Sequence, residues 1–159
     1  MIRKAVPTDL DRLTEIESIC FPPAEAAGRE ALAQRLYAFP ACFWVMEEAG
    51  KMIGFINGMA TDEPVIADEM FENAFLHKAE GRWQSVFGLD VLPEYRGKGC
   101  AAQLMQALIA DARALGRRGC ILTCNAHLLH YYEKFGYRSL GISASQHGGA
   151  QWYDMVLEF

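Results

Sequence analysis

VLPEYRGKGCAA, residues 91–102, decides the fold of this chain because it joins a predicted strand to a predicted helix through a glycine-containing turn. Residues 83–91 before it are apolar and β-branched, which is typical of a strand. Pro93 lacks the backbone donor that a strand needs, so the strand should end there. After the turn, apolar residues recur at the spacing of an amphipathic helix: Ala101, Leu104, Met105, Leu108, Ile109, Ala112 and Leu115.

The turn has the features of a phosphate-binding site. Gly97 and Gly99 permit the backbone conformations that turn successive amides inward. The first amides of the following helix have no intrahelical acceptor and carry partial positive charge, which suits an anion. Arg96 and Lys98 add two cationic side chains beside them. The stretch therefore predicts a cradle for phosphate.

Two phosphate motifs can be compared with this turn. The P-loop pattern, Gly-x4-Gly-Lys-Ser/Thr, is absent. The dinucleotide pattern Gly-x-Gly-x-x-Ala is present at Gly97, Gly99 and Ala102, but it should be followed by a strand that ends in an acidic residue. Here the next predicted strand, residues 120–124, ends in Asn125, and too little chain remains for a doubly wound sheet.

Composition limits the classes of function. The length predicts one domain spanning residues 1–159, and a net charge of −5 disfavours nucleic acid as a partner. The first residues, MIRK, lack the apolar run of a signal peptide, and no stretch is long enough to span a bilayer, so we expect a cytoplasmic protein without a membrane partner. Five cysteines in apolar segments indicate reduced thiols, and the spacing of Cys120, Cys124 and His127 predicts no metal site.

Hydrophobic periodicity predicts an α/β (mixed α+β) domain with about seven strands and about four helices. The predicted strands are residues 2–6, 43–48, 52–59, 83–91, 120–124, 137–140 and 151–159, and the predicted helices follow Asp9, Gly28, Gly99 and Asn125. We interpret the aromatic residues Phe21, Phe39, Phe43 and Trp44 as core. Residues 61–82 are less regular, and we expect a short helix there. The acids of this segment either favour a cationic substrate in a pocket beneath it or form a solvated face.

Two motifs resemble the GNAT superfamily of acyl-CoA-dependent N-acetyltransferases. Residues 96–101 fit the pattern Arg-x-x-Gly-x-Ala, which resembles the pyrophosphate signature of that superfamily. Residues 131–137, YYEKFGY, resemble its Tyr-x-x-x-Gly-Phe segment and look most like the arylalkylamine (serotonin) N-acetyltransferase branch and its bacterial relatives. The resemblance implies a mixed, mostly antiparallel sheet with a splayed parallel pair of strands, between which acetyl-CoA binds as co-substrate.

The resemblance also implies roles for individual residues. Tyr132 aligns with the tyrosine that protonates the leaving thiolate, a step for which a phenol is a suitable acid. One backbone amide near Val91 would face the thioester carbonyl. The implied coenzyme-binding residues are Leu89, Asp90, Val91, Arg96, Gly97, Lys98, Gly99, Cys100, Ala101, Ala102, Asn125 and Tyr132.

The general base is where the chain departs from that branch. Ser85 and Phe87 stand at the positions of its two histidines. Ser85 could hold a water in a proton relay, or its hydroxyl could simply be satisfied within the sheet. His127 is our first candidate for the base because it would lie at the mouth of the splay, and His147 in a glycine-rich loop is the second. Asp90 and His130 are weaker candidates.

Two functions of different classes remain open. The favoured one is an enzyme that transfers acetyl from acetyl-CoA to a primary amine by direct attack, without a covalent enzyme intermediate. Its acceptor would be a small molecule, with protein or peptide amines as the second choice. The alternative is an acyl-CoA-binding or sensing domain with weak or no catalysis, which the missing base favours. The sequence leaves homodimer formation open.

Overall fold

The computed structural model describes residues 1–159 as nine strands and five α-helices. The strands are β1 (Ile2–Lys4), β2 (Phe43–Glu48), β3 (Lys51–Asn57), β4 (Ala60–Thr61), β5 (Trp83–Val86), β6 (Gly88–Val91), β7 (Gly119–Cys124), β8 (Arg138–Ile142) and β9 (Tyr153–Glu158). The helices are α1 (Leu10–Cys20), α2 (Arg29–Ala38), α3 (Asp68–Glu72), α4 (Cys100–Ala114) and α5 (Leu129–Glu133). Short 3₁₀ turns connect several of them.

These strands form two sheets, in the orders β1-β2-β3-β6 and β4-β5-β7-β9-β8. Every pair is antiparallel except β5 with β7. The predicted α/β fold with a mixed, mostly antiparallel sheet and one parallel pair is therefore confirmed. The strand count exceeds the expectation for two reasons: the strand predicted at residues 83–91 is divided, and the two-residue strand β4 carries no sequence signal.

Phe87 divides that predicted strand and separates the two sheets. Strand β5 pairs with β7, whereas β6 pairs with β3. The Phe87 amide donates to the Asn57 carbonyl at 2.7 Å, and Gly88 is also in register with Asn57, so two residues face one as in a β-bulge. Because the chain changes partner here, β6 and β7 diverge from this point onward.

Two apolar clusters fix the layers. Helix α4 covers one face of the two sheets with Leu104, Met105 and Leu108, which have no exposed surface. Helices α1 and α2 cover the opposite face with fully buried residues such as Leu13 and Leu32. Burying a leucine side chain contributes roughly 1.5–3 kcal/mol, so the stripe on α4 holds the turn before it in place. None of the helices combines the length and apolar character needed to cross a bilayer.

Candidate active site

The divergence of β6 and β7 opens a cleft of about 150 Å³. Residues 86–89 line one side of it, and residues 122–125 line the other. Aromatic rings from other segments also line it, among them Phe21 after α1, Phe71 in α3 and Trp152 before β9. Phe21 therefore lies at the cleft and is only partly buried, so its assignment to the core was wrong, whereas Phe39, Phe43 and Trp44 are core as predicted.

One edge of β6 carries backbone groups with no partner strand. In an antiparallel pair, alternate residues turn their N–H and C=O toward the neighbouring strand. The Leu92 amide donates to Ile53 at 2.9 Å, so the alternation turns Leu89 and Val91 away from β3, toward the cleft. No strand pairs with β6 on that side. An extended ligand could therefore form sheet-like hydrogen bonds with Leu89 and Val91.

The predicted phosphate cradle continues from the end of this edge. Gly97 and Gly99 have φ angles of 78° and 82°, a left-handed conformation that favours glycine. The first intrahelical bond of α4 runs from the Gln103 amide to the Gly99 carbonyl, and no backbone amide among residues 97–102 donates within the chain. Helix α4 begins directly after the turn, so its positive end adds to these donors. The cradle is lined by Gly97, Gly99, Cys100, Ala101, Ala102, Val91, Tyr95, Arg96 and Tyr131.

The two predicted cations are placed differently. Arg96 borders the cradle, but its Nε donates to the Val91 carbonyl at 2.9 Å, so part of its guanidinium holds the end of β6. Lys98 is exposed beside the cradle, with Nζ 5.5 Å from the centre of the Tyr95 ring. Arg96 therefore fixes the turn as well as supplying charge, and Lys98 is free to move toward an anion.

Tyr132 lines the cleft from α5. Its ring packs edge-to-face against Tyr131 and Tyr137, with centroids 5.2 and 6.1 Å away. The Tyr132 hydroxyl has no hydrogen-bond partner in the chain, whereas the hydroxyl of Tyr137 donates to the sulfur of Met105. Burial, followed by the nearby Cys124 thiol, raises the pKa of Tyr132 well above its ordinary value, so the hydroxyl keeps its proton at neutral pH.

The first candidates for the base do not reach this cleft. Ser85 is fully buried, and its hydroxyl donates to the Met59 carbonyl at 2.8 Å, so of its two interpretations the structure favours a hydroxyl satisfied within the sheet. His127 and His130 are exposed and outside the cleft lining. His127 follows Asn125 and precedes Leu128, which both line the cleft, but it does not itself enter the lining. Asn125 does line the cleft, where β7 ends.

His147 is the histidine that lines the cleft. Its Nε2 lies 3.0 Å from the Glu25 carbonyl, and its ring stacks on Phe71 with centroids 4.8 Å apart. Because a carbonyl can only accept, Nε2 carries a proton, and Nδ1 of the neutral ring is left as the basic nitrogen. The Trp152 indole also donates to the His147 carbonyl at 2.8 Å, which fixes the backbone of this loop.

Asp90 lies behind the cleft wall and contributes nothing to the coenzyme edge. Its backbone is in register with Phe55 of β3, and its fully buried side chain faces Glu17 on α1. The prediction that Asp90 contacts the coenzyme was therefore wrong. Neither oxygen of the Asp90 carboxyl nor Oε1 of Glu17 has a hydrogen-bond donor. Burial and the neighbouring Glu17 raise the pKa of Asp90 well above its ordinary value, which favours the protonated form of Asp90.

The acidic segment organises the site from outside. Asp68 accepts hydrogen bonds from the Ser145 hydroxyl and from the Gln146 amide, the latter at 2.9 Å, and so holds the loop that carries His147. Asp62 pairs with Lys78 and Arg82. Only Phe71 of this segment lines the cleft, so none of its carboxylates forms part of the lining.

The carboxylates that do line the cleft come from Glu17 and Glu25, which sequence reasoning did not select. Glu17 reads as an ordinary helix residue, because its position on the buried side of α1 becomes informative only when Asp90 is known to face it. Trp152 was missed because it lies in a loop without a motif. Thr123, which faces the same space, belongs to a strand that was predicted only as apolar.

A free strand edge, a cradle of unpaired amides and a tyrosine at the cleft together would suit an extended anionic ligand between two splayed strands. The sequence profile of the Acetyltransferase (GNAT) family matches residues 10–137, and the chain belongs to that family.

Individual relatives are distant. Human N-acetyltransferase 8B is 27% identical over 106 residues, which cover 65% of this chain but 41% of that protein, so the chain spans less than half of that curated relative. Two solved structures share the fold: the GNAT-like decarboxylase GphF in complex with isobutyryl-CoA, and the loading GNATL domain of CurA from Lyngbya majuscula. The GphF structure has a TM-score of 0.86 at 22% identity, and the match covers 99% of this chain and 98% of that chain. The CurA domain has a TM-score of 0.85 at 15% identity, and the match covers 99% of this chain and 96% of that chain.

Proposed function

We propose that the chain transfers acetyl from acetyl-CoA to a primary amine by direct attack on the thioester. The observation that carries this proposal is the continuous row of unpaired donors, from Leu89 and Val91 on the free edge of β6 to residues 97–102 in the cradle. The strand edge suits the amide groups of pantetheine, and the cradle suits a pyrophosphate. Tyr132 lies where β7 and α5 close the cleft, within the same lining as Leu89.

Each part of the reaction has a group to serve it. A free amide on the edge of β6 would stabilise the negative charge that develops on the thioester oxygen, an effect typically worth a few kcal/mol. The C–N bond forms as the C–S bond breaks, and the departing thiolate takes the proton of the Tyr132 hydroxyl. The nitrogen that has attacked then loses its remaining extra proton, which restores the phenol of Tyr132. The amine arrives as an ammonium ion and must first lose a proton. Nδ1 of His147, the second of our sequence candidates, is the acceptor that we assign to this proton.

The charges of the cleft favour an amine acceptor over a carboxylate-bearing acyl group. The lining contains Glu17 and Glu25 but no lysine or arginine. An acyl group with a free carboxylate, as a decarboxylase would bind, would therefore face two acids without a cation to pair with. Histidines are also absent at the two strand positions used by the arylalkylamine branch, where Ser85 and Phe87 stand, so we propose the reaction and not that branch's substrates.

Free coenzyme A release tests this proposal. The chain is incubated with acetyl-CoA and a panel of small primary amines and N-terminal peptides, and free thiol is measured. We expect thiol release that depends on one class of amine, with N-acetylated product found by mass spectrometry. Acetyl-CoA binding without thiol release from any amine would instead support the acyl-CoA-sensing alternative. Isobutyryl-CoA serves as a matched donor, which we expect to react more slowly because a branched acyl group crowds the thioester carbonyl against the attacking amine.

A further inference from the structure

Three rings form a continuous stack along one wall of the cleft, which we call the acceptor wall: Phe87, Phe71 and His147. The Phe87 ring lies where the chain changes sheets, and its centroid is 4.9 Å from that of Phe71 on α3. The Phe71 ring in turn stacks on His147 with centroids 4.8 Å apart. Both distances are typical of favourable aromatic pairs. The place of His147, the base that we assign, therefore depends on where Phe71 lies.

Helix α3, which carries Phe71, has few backbone ties to the rest of the fold. It belongs to neither sheet, and its backbone forms a single hydrogen bond with another element. In that bond the Phe71 carbonyl accepts from Nη2 of Arg35 on α2 at 3.4 Å. Nη1 of Arg35 donates to Oδ1 of Asn57 at 3.2 Å, and the guanidinium carbon lies 5.0 Å from the centre of the Phe87 ring. One side chain thus joins the first two rings of the acceptor wall to β3.

The Arg35 guanidinium is buried and charged. Arg35 is 5% exposed, and none of the salt bridges of the chain includes it. Burial lowers the pKa of Arg35 to about 10, against the opposing charges of Glu17 and Asp90, so Arg35 stays protonated at neutral pH. Burying a charge is costly, and apolar side chains of similar volume often pack at less cost. The directed donors of the planar guanidinium therefore point to a role in geometry.

We propose that Arg35 is a positioning residue for the acceptor: it holds Phe71 against Phe87 and thereby sets the place of His147 in the cleft. This inference rests on the proposed acyl transfer and adds to it a residue outside the cleft lining. The coenzyme side of the cleft is held by other contacts, namely the pairing of β6 with β3 and the bond from Arg96 to Val91. Loss of the Arg35 contacts should therefore affect the amine and spare acetyl-CoA.

Arg35→Lys tests this role. Lysine keeps the positive charge beside Glu17 and Asp90, but its compact ammonium group cannot reproduce the spacing of the two guanidinium nitrogens. We expect the kcat/KM of the amine to fall about 10-fold, which is less than the roughly 10²-fold that a misplacement of about 1 Å can cost. The KM of acetyl-CoA should change less than about 2-fold, because uniform binding of the coenzyme is not touched. Thiol release at varied concentrations of each substrate measures both constants, with the best acceptor of the amine panel.

The matched control is Arg12→Lys. Arg12 on α1 also directs two nitrogens to backbone, at 2.9 and 3.1 Å from the Met52 carbonyl, but it lies outside the cleft lining. This variant should leave the constants of both substrates as in the wild-type chain. A loss of amine kcat/KM in Arg12→Lys equal to that in Arg35→Lys would mean that any weakened contact of this kind slows the reaction, and would overturn the inference.

A double-mutant cycle with Phe71→Leu tests whether Arg35 acts through the ring stack. Leucine keeps the backbone carbonyl that Arg35 contacts but removes the ring between Phe87 and His147. If Arg35 acts through that ring, Arg35→Lys in the Phe71→Leu background should lower the amine kcat/KM less than about 2-fold further, since coupled residues are not additive. A second loss of the full size would show that Arg35 does not act through Phe71.

The outcomes separate the inference from the function. An amine kcat/KM that Arg35→Lys leaves unchanged, or a loss matched by an equal rise in the KM of acetyl-CoA, would overturn the inference and leave acyl transfer standing. Absence of thiol release by the wild-type chain with every amine would overturn the function, and the inference with it. If Arg35→Lys fails to fold, Arg35→Gln in an Asp90→Asn background replaces it, because removing one buried carboxyl offsets the lost charge. The same difference between the two substrates is then required.

Discussion

At the scale of single residues, burial shifts the pKa of two side chains at the site. Tyr132 is a phenol and so is protonated at neutral pH, and burial raises its pKa further, so it gives up its proton less readily than an exposed tyrosine. Burial, reinforced by Glu17, also raises the pKa of Asp90 and favours its protonated form. For Asp90 the local environment thus opposes the charge that the residue type would ordinarily carry.

Tyr132→Phe should slow the chemical step without weakening coenzyme binding. The change removes a hydroxyl that has no partner in the chain and keeps the ring packed against Tyr131 and Tyr137. We expect kcat to fall roughly 10²-fold, the low end of what general acid catalysis contributes, with the KM of acetyl-CoA nearly constant.

The matched control is Tyr131→Phe, because Tyr131 lines the phosphate cradle and not the cleft. The loss in Tyr132→Phe should shrink with a thioester of a more acidic thiol, which needs less help to leave. Full turnover by Tyr132→Phe with acetyl-CoA would show that the tyrosine only packs and that water supplies the proton.

Asp90→Asn should stabilise the fold at neutral pH. The folded-state pKa of Asp90 is raised, so its contribution to stability is present below the unfolded pKa and is lost as pH rises toward the folded value. Asparagine is neutral at every pH and avoids this loss, which amounts to at most about 1.4 kcal/mol per pH unit. Thermal unfolding at pH 7 and pH 4.5 measures the effect.

The gain from Asp90→Asn should be larger at pH 7 than at pH 4.5. The groups that face Asp90 are Glu17 and Cys20 from α1 and Arg35 from α2, with Asn57 on β3, and none of them is changed by the substitution. A gain that increased as the pH fell would mean that Asp90 is ionised in the folded chain.

At the scale of elements, the strand, turn and helix around residues 91–102 could be predicted because each carries a local signal. Pro93 ends the strand, Gly97 and Gly99 form the turn, and apolar residues at helical spacing mark α4. The acceptor side of the cleft could not be predicted, because Glu17, Phe71 and Trp152 come from separate segments and meet only through tertiary packing. The ranking of His127 above His147 could not be settled from sequence for the same reason: His147 lines the cleft because Asp68 holds its loop, which lies 77 residues further along the chain.

Gly99→Glu should abolish coenzyme binding at the cradle. It places a carboxylate beside amides that otherwise receive phosphate, and acetyl-CoA should then no longer raise the Tm. For the wild-type chain, acetyl-CoA at 100 times its Kd would stabilise by about 2.7 kcal/mol.

Gly99→Ala separates charge from backbone strain. Both substitutions force a side chain into the left-handed region at Gly99, at a cost of roughly 1–2 kcal/mol, and the space around the Cβ is open in each. The alanine variant should keep a thermal shift with acetyl-CoA. Equal shifts for glutamate and alanine would contradict the phosphate assignment, and a shift produced by NAD would favour the dinucleotide pattern.

At the scale of the whole molecule, the architecture was predictable in kind but not in its division into two sheets. Alternation and apolar runs indicate strands at nearly the right places, with β1 ending at Lys4 and not at residue 6. No residue pattern around Phe87 predicts that the chain leaves β7 and pairs with β3, because the position of a bulge depends on which strands are available for pairing. Yet this single residue determines that a cleft exists at all.

The change of strand partner at Phe87 also affects how fast the backbone amides of β6 exchange with solvent. The amides of Leu89 and Val91 form no hydrogen bonds to a neighbouring strand, so they should exchange with deuterated solvent faster than their neighbours in β3. A coenzyme lying along this edge would accept and donate the hydrogen bonds that a neighbouring strand would otherwise make, and would act as a temporary strand between β6 and β7. Hydrogen exchange followed by mass spectrometry should then show slowed exchange in the peptide containing β6 when acetyl-CoA is added. The open edge of β6 would thus be protected only while the chain holds its substrate, and exposed again with each turnover.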